Sequence, residues 1–248
     1  MNPLQHTAFL FKDAFIVNAA YNYKYTIIKV FKMAATKTEL MDGFKRMHKR
    51  FGPRHWWPGE TPFEVMVGAI LTQNTNWKNV ERAIANLKRE SLLDPRKLLD
   101  LHPATLAKLI RPAGYFRVKA GRLRHYLRYF VDNYGGSAKR MAARPNEVLR
   151  EELLTVKGIG PETADSILLY ALGKPAFVID AYTKRILSRH GLCAEDDDYH
   201  ALQDLFTERL PADVALFNEF HALIVETGKE YCRTTPRCEG CPLKGWNI

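Results

Sequence analysis

Apolar residues recur along most of the chain with the three-to-four spacing of helices that bury one face. Phe63, Met66, Val67, Ile70 and Leu71 make one such face, and Val80, Ala83, Ile84 and Leu87 make a second. A third, Ala164, Ile167, Leu168 and Ala171, is followed by Gly173 and Pro175, residues that stop a helix. Leu123, Leu127 and Phe130 interleave with Lys119, Arg122, Arg124 and Arg128 in a longer basic helix, which Gly135-Gly136 breaks. Further helices are expected near 199–209 and 212–228. Strand signals are nearly absent, so the pattern predicts an all-α fold.

Polar residues and prolines mark where the helices begin. Thr61-Pro62-Phe63-Glu64 reads as a capping box with Pro at the first helical position. Asn76 opens the next helix, Asp94-Pro95 and His102-Pro103 open two short ones, and Pro145 opens another. Arg111-Pro112-Ala113-Gly114-Tyr115 is a turn. Residues 1–35 depart from this pattern. They are aromatic and β-branched, and are read as a targeting segment, an added strand pair, or an upstream extension with Met33 as the alternative start. Their apolar stretches are too short and interrupted for a cleavable signal, and no role is assigned to them.

A length of 248 residues suits one large or two small domains, and 46% hydrophobic residues suffice for a real core. Lys and Arg number 37 against 27 Asp and Glu, a net charge of +10, which points to an acidic partner. No apolar run reaches the roughly 18 residues a membrane helix needs. Four cysteines, three of them crowded at the C-terminus, suggest a metal or cluster site in a reducing compartment rather than a disulfide framework.

The chemistry concentrates in LLTVKGIGPETADSILLYALGKPAFVIDAYTKRIL, from Leu153 to Leu187. Gly158-Ile159-Gly160 reads as a tight turn between two helices. Both glycines are expected to allow φ > 0 and close backbone approach, and Pro161 starts the second helix. Bare N–H groups in such a turn, beside Lys157, suit an anion, and in a basic chain the natural anion is nucleic-acid phosphate. Asp180 lies in an apolar context, after Phe177-Val178-Ile179, where a lone Asp is ordinarily an N-cap.

The whole stretch resembles the helix-hairpin-helix and Gly/Pro-Asp signature of the endonuclease III superfamily of DNA glycosylases. The resemblance spans about residues 36–248 and implies a six-helix domain over 60–170. A second helical domain from 36–59 plus 171–248 would face it across a DNA-binding cleft. It implies that Lys157, Gly158 and Gly160 grip DNA backbone and that Asp180 is catalytic. Glu162, 18 residues before Asp180, stands where strand-cleaving members carry a Schiff-base lysine. As an anion near neutral pH it cannot take that role, so a monofunctional enzyme without lyase activity is expected. Asn74 falls on the position that wedges into DNA when a base is flipped out, with Gln73 beside it.

Within the superfamily the segments WWP, PFEVMVGAILTQNTNW and RPAGYFRVKA are most similar to the 3-methyladenine DNA glycosylase III subgroup. Trp56, Trp57, Pro58 and Trp77 fall on that subgroup's base-pocket positions, and an aromatic cage favours a cationic 3-alkylated purine over neutral adenine. Ala69 stands where adenine-mismatch glycosylases carry a catalytic Glu, which argues against adenine excision. Alternatives are a glycosylase of the same fold for mismatched uracil or thymine or for oxidised pyrimidines, and a non-catalytic DNA-binding protein. Cys232, Cys238 and Cys241 give C-x5-C-x2-C, one residue short of the superfamily's 4Fe–4S loop, and Asn247 stands at its fourth position. The resemblance thus implies a 4Fe–4S cluster with Cys193 as the remaining candidate ligand, against a degenerate loop that keeps only its fold. It further implies a monomer that binds double-stranded DNA in the cytoplasm, at the nucleoid, with no membrane.

Overall fold

Every regular element among the described residues, 35–194 and 196–246, is helical in a computed structural model of the chain. The N-terminal extension, apart from Ala35, lies outside them, as do Asn247 and Ile248. In chain order the helices are α1 (Lys37–Phe51), α2 (Pro62–Leu71), α3 (Trp77–Arg89), α4 (Pro95–Asp100) and α5 (Pro103–Leu109). A 3-10 turn (Arg111–Ala113) precedes α6 (Phe116–Tyr134), α7 (Ala138–Ala142) and α8 (Asn146–Thr155). Then come α9 (Pro161–Ser166), a π-helical segment (Ile167–Ala171), α10 (Ala181–Arg189), α11 (Tyr199–Thr207) and α12 (Val214–Glu230). No helix among the described residues is long and apolar enough to cross a membrane.

The expected start signals sit at helix N-termini, with one correction. Thr61 Oγ1 accepts from the Glu64 N–H at 3.1 Å, but the Glu64 carboxylate does not close the box on Thr61. It accepts from Glu60 N at 3.2 Å and pairs with Lys88 Nζ of α3 at 2.9 Å. The buried carboxylate is drawn to the ammonium, and its second oxygen then reaches one residue further back. The complete capping box is at α1, where Thr36 and Glu39 exchange bonds of 2.6 and 3.3 Å. Helix α2 also differs from a one-faced helix. Glu64 through Leu71 are all buried, because α2 is packed on by α3, α6, α9 and the π segment.

Two apolar cores divide the molecule. One runs from Val65 to Ala176 and contains α2, α3 and the inner faces of α4–α9. The other joins Ala35, Leu40 and Met47 to residues from Leu169 to Trp246, with Phe177 stacked on Phe206 at 3.8 Å. The π segment is where they meet. Leu168 belongs to the first core, Leu169 to the second, and the Tyr170 ring packs against both. A π turn inserts an extra residue and re-aims the side chains that follow. Here it lets neighbouring leucines face different cores.

Candidate functional site

Asp180 is the N-cap of α10: its Oδ1 accepts from Thr183 N at 2.7 Å and from Thr183 Oγ1 at 2.9 Å. Its Oδ2 faces His221 Nε2 of α12 at 3.7 Å, and the side chain is 13% exposed. The approach segment is held from beneath by a buried polar network. Asp165 of α9 is fully buried, paired with Arg150 of α8 at 2.7 and 3.0 Å. Tyr199 Oη and Gln203 Nε2 of α11 each donate to the same carboxylate at 2.8 Å. Tyr199 Oη in turn accepts from Ile179 N at 3.3 Å, and Gln203 Nε2 donates to Phe177 O at 2.7 Å. A fully satisfied buried network of this kind fixes one backbone path, and that path delivers Asp180.

The aromatic residues expected to form a pocket do come together. Trp57 lies 5.7 Å from Trp56, 5.0 Å from Trp77 and 5.1 Å from Tyr170, measured between ring centroids. All three indoles are half-buried, and Gly68 of α2 lets Trp57 and Trp77 approach the helix axis, since a Cβ there would sit 3.3 Å from the Trp77 ring. Trp77 Nε1 donates to Glu81 at 2.7 Å, and Lys229 Nζ lies 5.1 Å from the Trp56 ring. Pro58 is exposed and, with Trp77, Glu64, Glu81 and Lys88, lines a cavity of about 280 Å³. From Trp57 the contact line continues through Tyr170, whose Oη is 2.5 Å from His221 Nδ1, to Asp180. Neither Tyr170 nor His221 stood out in the sequence. Tyr170 reads there as one more apolar position, and His221 as a lone histidine in an apolar helix.

Glu162 lies in the first turn of α9, in the electrostatic reach of Asp180 and Tyr199. The residue is exposed, and partial desolvation of its carboxyl, with the negative charge of Asp180, pushes it up to about 7. The expectation of a fully ionised Glu162 at neutral pH is thereby corrected to a mixed population. Neither form supplies an amine.

The hairpin between α8 and α9 is a compact turn, but its two glycines are not equivalent. Gly158 has φ +93°, and a Cβ on it would lie 2.4 Å from Arg122 Cγ. Gly160 is the N-cap of α9 with φ −98° and open space around its Cβ position. The expectation that both need a positive φ therefore holds for Gly158 alone. Lys157 is exposed, and its carbonyl lies 3.2 Å from His125 Nδ1.

The wedge pair is likewise divided. Asn74 is exposed, with φ +53°. Gln73 is turned inward: its Nε2 donates to Gly158 O at 3.1 Å and Thr163 Oγ1 at 3.0 Å, while Arg122 of α6 donates to its Oε1. With both ends of its amide engaged, Gln73 braces the hairpin. Helix α6 carries a second brace. Lys119, 1% exposed, donates through Nζ to Leu71 O at 2.8 Å and Ala113 O at 2.7 Å. Leu71 leads into the Asn74 loop, and Ala113 leads into Gly114-Tyr115. Tyr115 has φ +43° and is 71% exposed. Burial of the ammonium, and the nearby Arg122 charge, lower Lys119 to about 8.

Cys232, Cys238 and Cys241 line one cavity of about 140 Å³ together with Arg189, His190 and Leu243. Cys193 does not join them. Its thiol points at Lys184 O, 3.8 Å away, and burial pushes it up to about 11. The Cys232 thiol already accepts from Arg189 Nη1 at 3.3 Å. Among the described residues no group of three His, Cys, Asp or Glu is arranged to hold a metal ion. The donor set thus stops short of the four thiolates an iron–sulfur cluster takes.

Comparison with known proteins adds to this geometry. The family model for HhH-GPD superfamily base excision DNA repair proteins matches residues 67–212. A protein of Methanocaldococcus jannaschii named as a DNA repair glycosylase is 49% identical over 203 residues, 81% of this chain and 92% of its own. The solved structure of a trapped endonuclease III–DNA covalent intermediate superposes with a TM-score of 0.73, covering 85% of this chain and 94% of that one. Its 24% identity makes that a likeness of fold. The H. pylori 3-methyladenine DNA glycosylase bound to 1,N6-ethenoadenine superposes with a TM-score of 0.66 at 29% identity, covering 79% of this chain and 98% of that one.

Proposed function

Because the chain belongs to the HhH-GPD superfamily of base excision DNA repair proteins and is a DNA glycosylase, we propose that it hydrolyses the N-glycosidic bond of alkylated purines such as 3-methyladenine and leaves the abasic strand uncut. The observation that carries this reading is the continuous line from the indole cluster through Tyr170 and His221 to Asp180, with a carboxyl and no amine at position 162. We take the two apolar cores as the two domains, with DNA entering between them.

In this reading the hairpin around Lys157, Gly158 and Gly160 meets the phosphate backbone. Asn74 and Tyr115, both exposed and both in left-handed backbone, enter the duplex from adjoining loops whose spacing Lys119 fixes. Unstacking a base costs a few kcal/mol, and inserted side chains offset it by filling the gap. The flipped base meets Trp56, Trp57, Pro58 and Trp77. A π face favours a cation by about 0.5–2 kcal/mol. The carboxylate of Glu81 on the Trp77 N–H adds electron density to that ring. The positive charge of an alkylated purine already weakens its glycosidic bond. The remaining requirement is an anion for the oxocarbenium-like sugar and the attacking water, which Asp180 supplies.

A strand-cleaving mechanism needs an amine at C1′. Lys157 lies in the hairpin turn and Lys174 donates to Arg144 O, so neither occupies the Glu162 position. The three thiols do not complete a cluster site, and no step here depends on one. Borohydride trapping tests the assignment. Protein incubated with alkylated duplex and borohydride is expected to give free base and no covalent adduct. A strong trapped band would overturn the monofunctional reading and favour an oxidised-pyrimidine substrate.

A further inference from the structure

A buried imidazole stands between the aromatic wall and Asp180, and the reaction as described gives it no task. His221 is 5% exposed, its Nε2 lies 3.7 Å from Asp180 Oδ2, and no described residue makes a hydrogen bond to that nitrogen. Its Nδ1 is 2.5 Å from Tyr170 Oη, and the Tyr170 ring packs on Trp57.

The protons on this line follow from the surroundings. Burial, reinforced by the Asp180 charge, raises the Tyr170 phenol well above its ordinary value, so the hydroxyl keeps its proton; with the Asp180 carboxylate opposite Nε2 favouring a proton there, Nδ1 is left to accept from Tyr170 Oη. Burial lowers His221, and the Lys229 charge on the same helix lowers it further, while Asp180 opposes both. The ring is therefore neutral at neutral pH. A neutral imidazole that accepts at Nδ1 carries its single proton on Nε2. That N–H points at Oδ2, the one Asp180 oxygen that Thr183 does not hold.

We propose that Tyr170 and His221 are positioning residues for Asp180: Tyr170 fixes the imidazole tautomer, and the His221 Nε2–H turns its positive end toward Oδ2. The inference rests on Asp180 being the catalytic carboxylate. It makes base wall and carboxylate one unit, since the ring that packs on Trp57 also sets the proton that faces Asp180. Without the Tyr170 hydroxyl, the proton is free to sit on Nδ1. The Nε2 lone pair then faces a carboxylate, and the two repel.

Tyr170→Phe removes one oxygen and tests this. At pH about 8 its kcat is expected to fall about 10- to 100-fold, the scale for losing an outer partner of a catalytic group, with KM and DNA affinity unchanged. As the pH falls and the ring takes up a second proton, both nitrogens donate, so the ratio of Tyr170→Phe to wild-type kcat should rise toward one. The other groups facing this line are Asp180, Lys229 and, through Asp180, Glu162, and the variant leaves them in place. His221→Phe should lose activity with no recovery in acid. Nitrogen chemical shifts of the His221 ring should show Nε2–H in the wild type and a mixture in Tyr170→Phe. Normal turnover of Tyr170→Phe, a loss that persists where the nitrogen shifts show the ring doubly protonated, or an Nδ1–H wild-type ring would overturn the proposal. An active Asp180→Asn variant would instead overturn the assignment beneath it.

Discussion

Replacing Asp180 by Asn should separate chemistry from folding. The Asn side chain keeps an oxygen where Oδ1 accepts from Thr183 N and Oγ1. Asn and Asp are comparable N-caps, so α10 should keep its stability. What is lost is the charge. A carboxylate about 4 Å from a developing unit positive charge is worth about 4 kcal/mol at an effective dielectric near 20. At about 1.4 kcal/mol per decade, that is a fall of about 10³-fold in the rate of base release. The amide nitrogen adds a smaller penalty, because it places a donor opposite the His221 Nε2–H. The assay is single-turnover base release with enzyme in excess, beside a thermal midpoint and a DNA titration. The expected result is a collapse of the rate with midpoint and DNA affinity nearly unchanged. A variant within about tenfold of the wild-type rate would remove Asp180 from the mechanism.

Three other perturbations follow from the same geometry. Gly158→Ala should lower the thermal midpoint and with it weaken DNA binding, because its Cβ meets Arg122 at 2.4 Å and its φ is +93°, whereas Gly160→Ala should leave the midpoint nearly unchanged; equal losses of midpoint would refute this. Glu162 is raised in the folded state, so the folded chain binds the extra proton between the ordinary carboxyl value and about 7, and stability falls as pH rises through that window. Glu162→Gln should accordingly raise the thermal midpoint above pH about 7 and leave it unchanged near pH about 4; a gain at both pH values would contradict the cause assigned. Lys119→Met removes two bonds to carbonyls, at 2.8 and 2.7 Å, and should cost about 2 kcal/mol of stability while slowing base release more than it weakens binding. Parallel losses of release and binding in denaturation-controlled assays would make Lys119 a purely structural lysine.

The sequence carried the helices well because each start has a local chemical cause. Thr61, Asn76 and Asp180 all cap through their own side-chain oxygens. The hairpin turn was legible from its glycines and Pro161, whereas Asp180 and the indoles were singled out by the resemblance to endonuclease III-like glycosylases, since by local pattern Asp180 reads only as an N-cap. What the sequence hid is tertiary. Lys119 reads as one more cation on a basic helix, yet it is buried between two carbonyls that lie 42 positions apart in the chain. Gln73 reads as a second wedge residue, yet its amide is consumed by Gly158, Thr163 and Arg122. His221 lies on α12, far along the chain from Asp180, and the packing of α10 on α12 within the second core brings them together. The cysteine spacing suggested a cluster, but Cys193 lies outside the cavity that the other three line.

The central claim is most directly tested by base release from three matched duplexes carrying a single 3-methyladenine, uracil or thymine glycol, each resolved for free base and for strand length. The account predicts release of 3-methyladenine, with the abasic strand intact, and little or none from the other two. Preferential release of uracil or thymine glycol, or strand cleavage without added base, would contradict it.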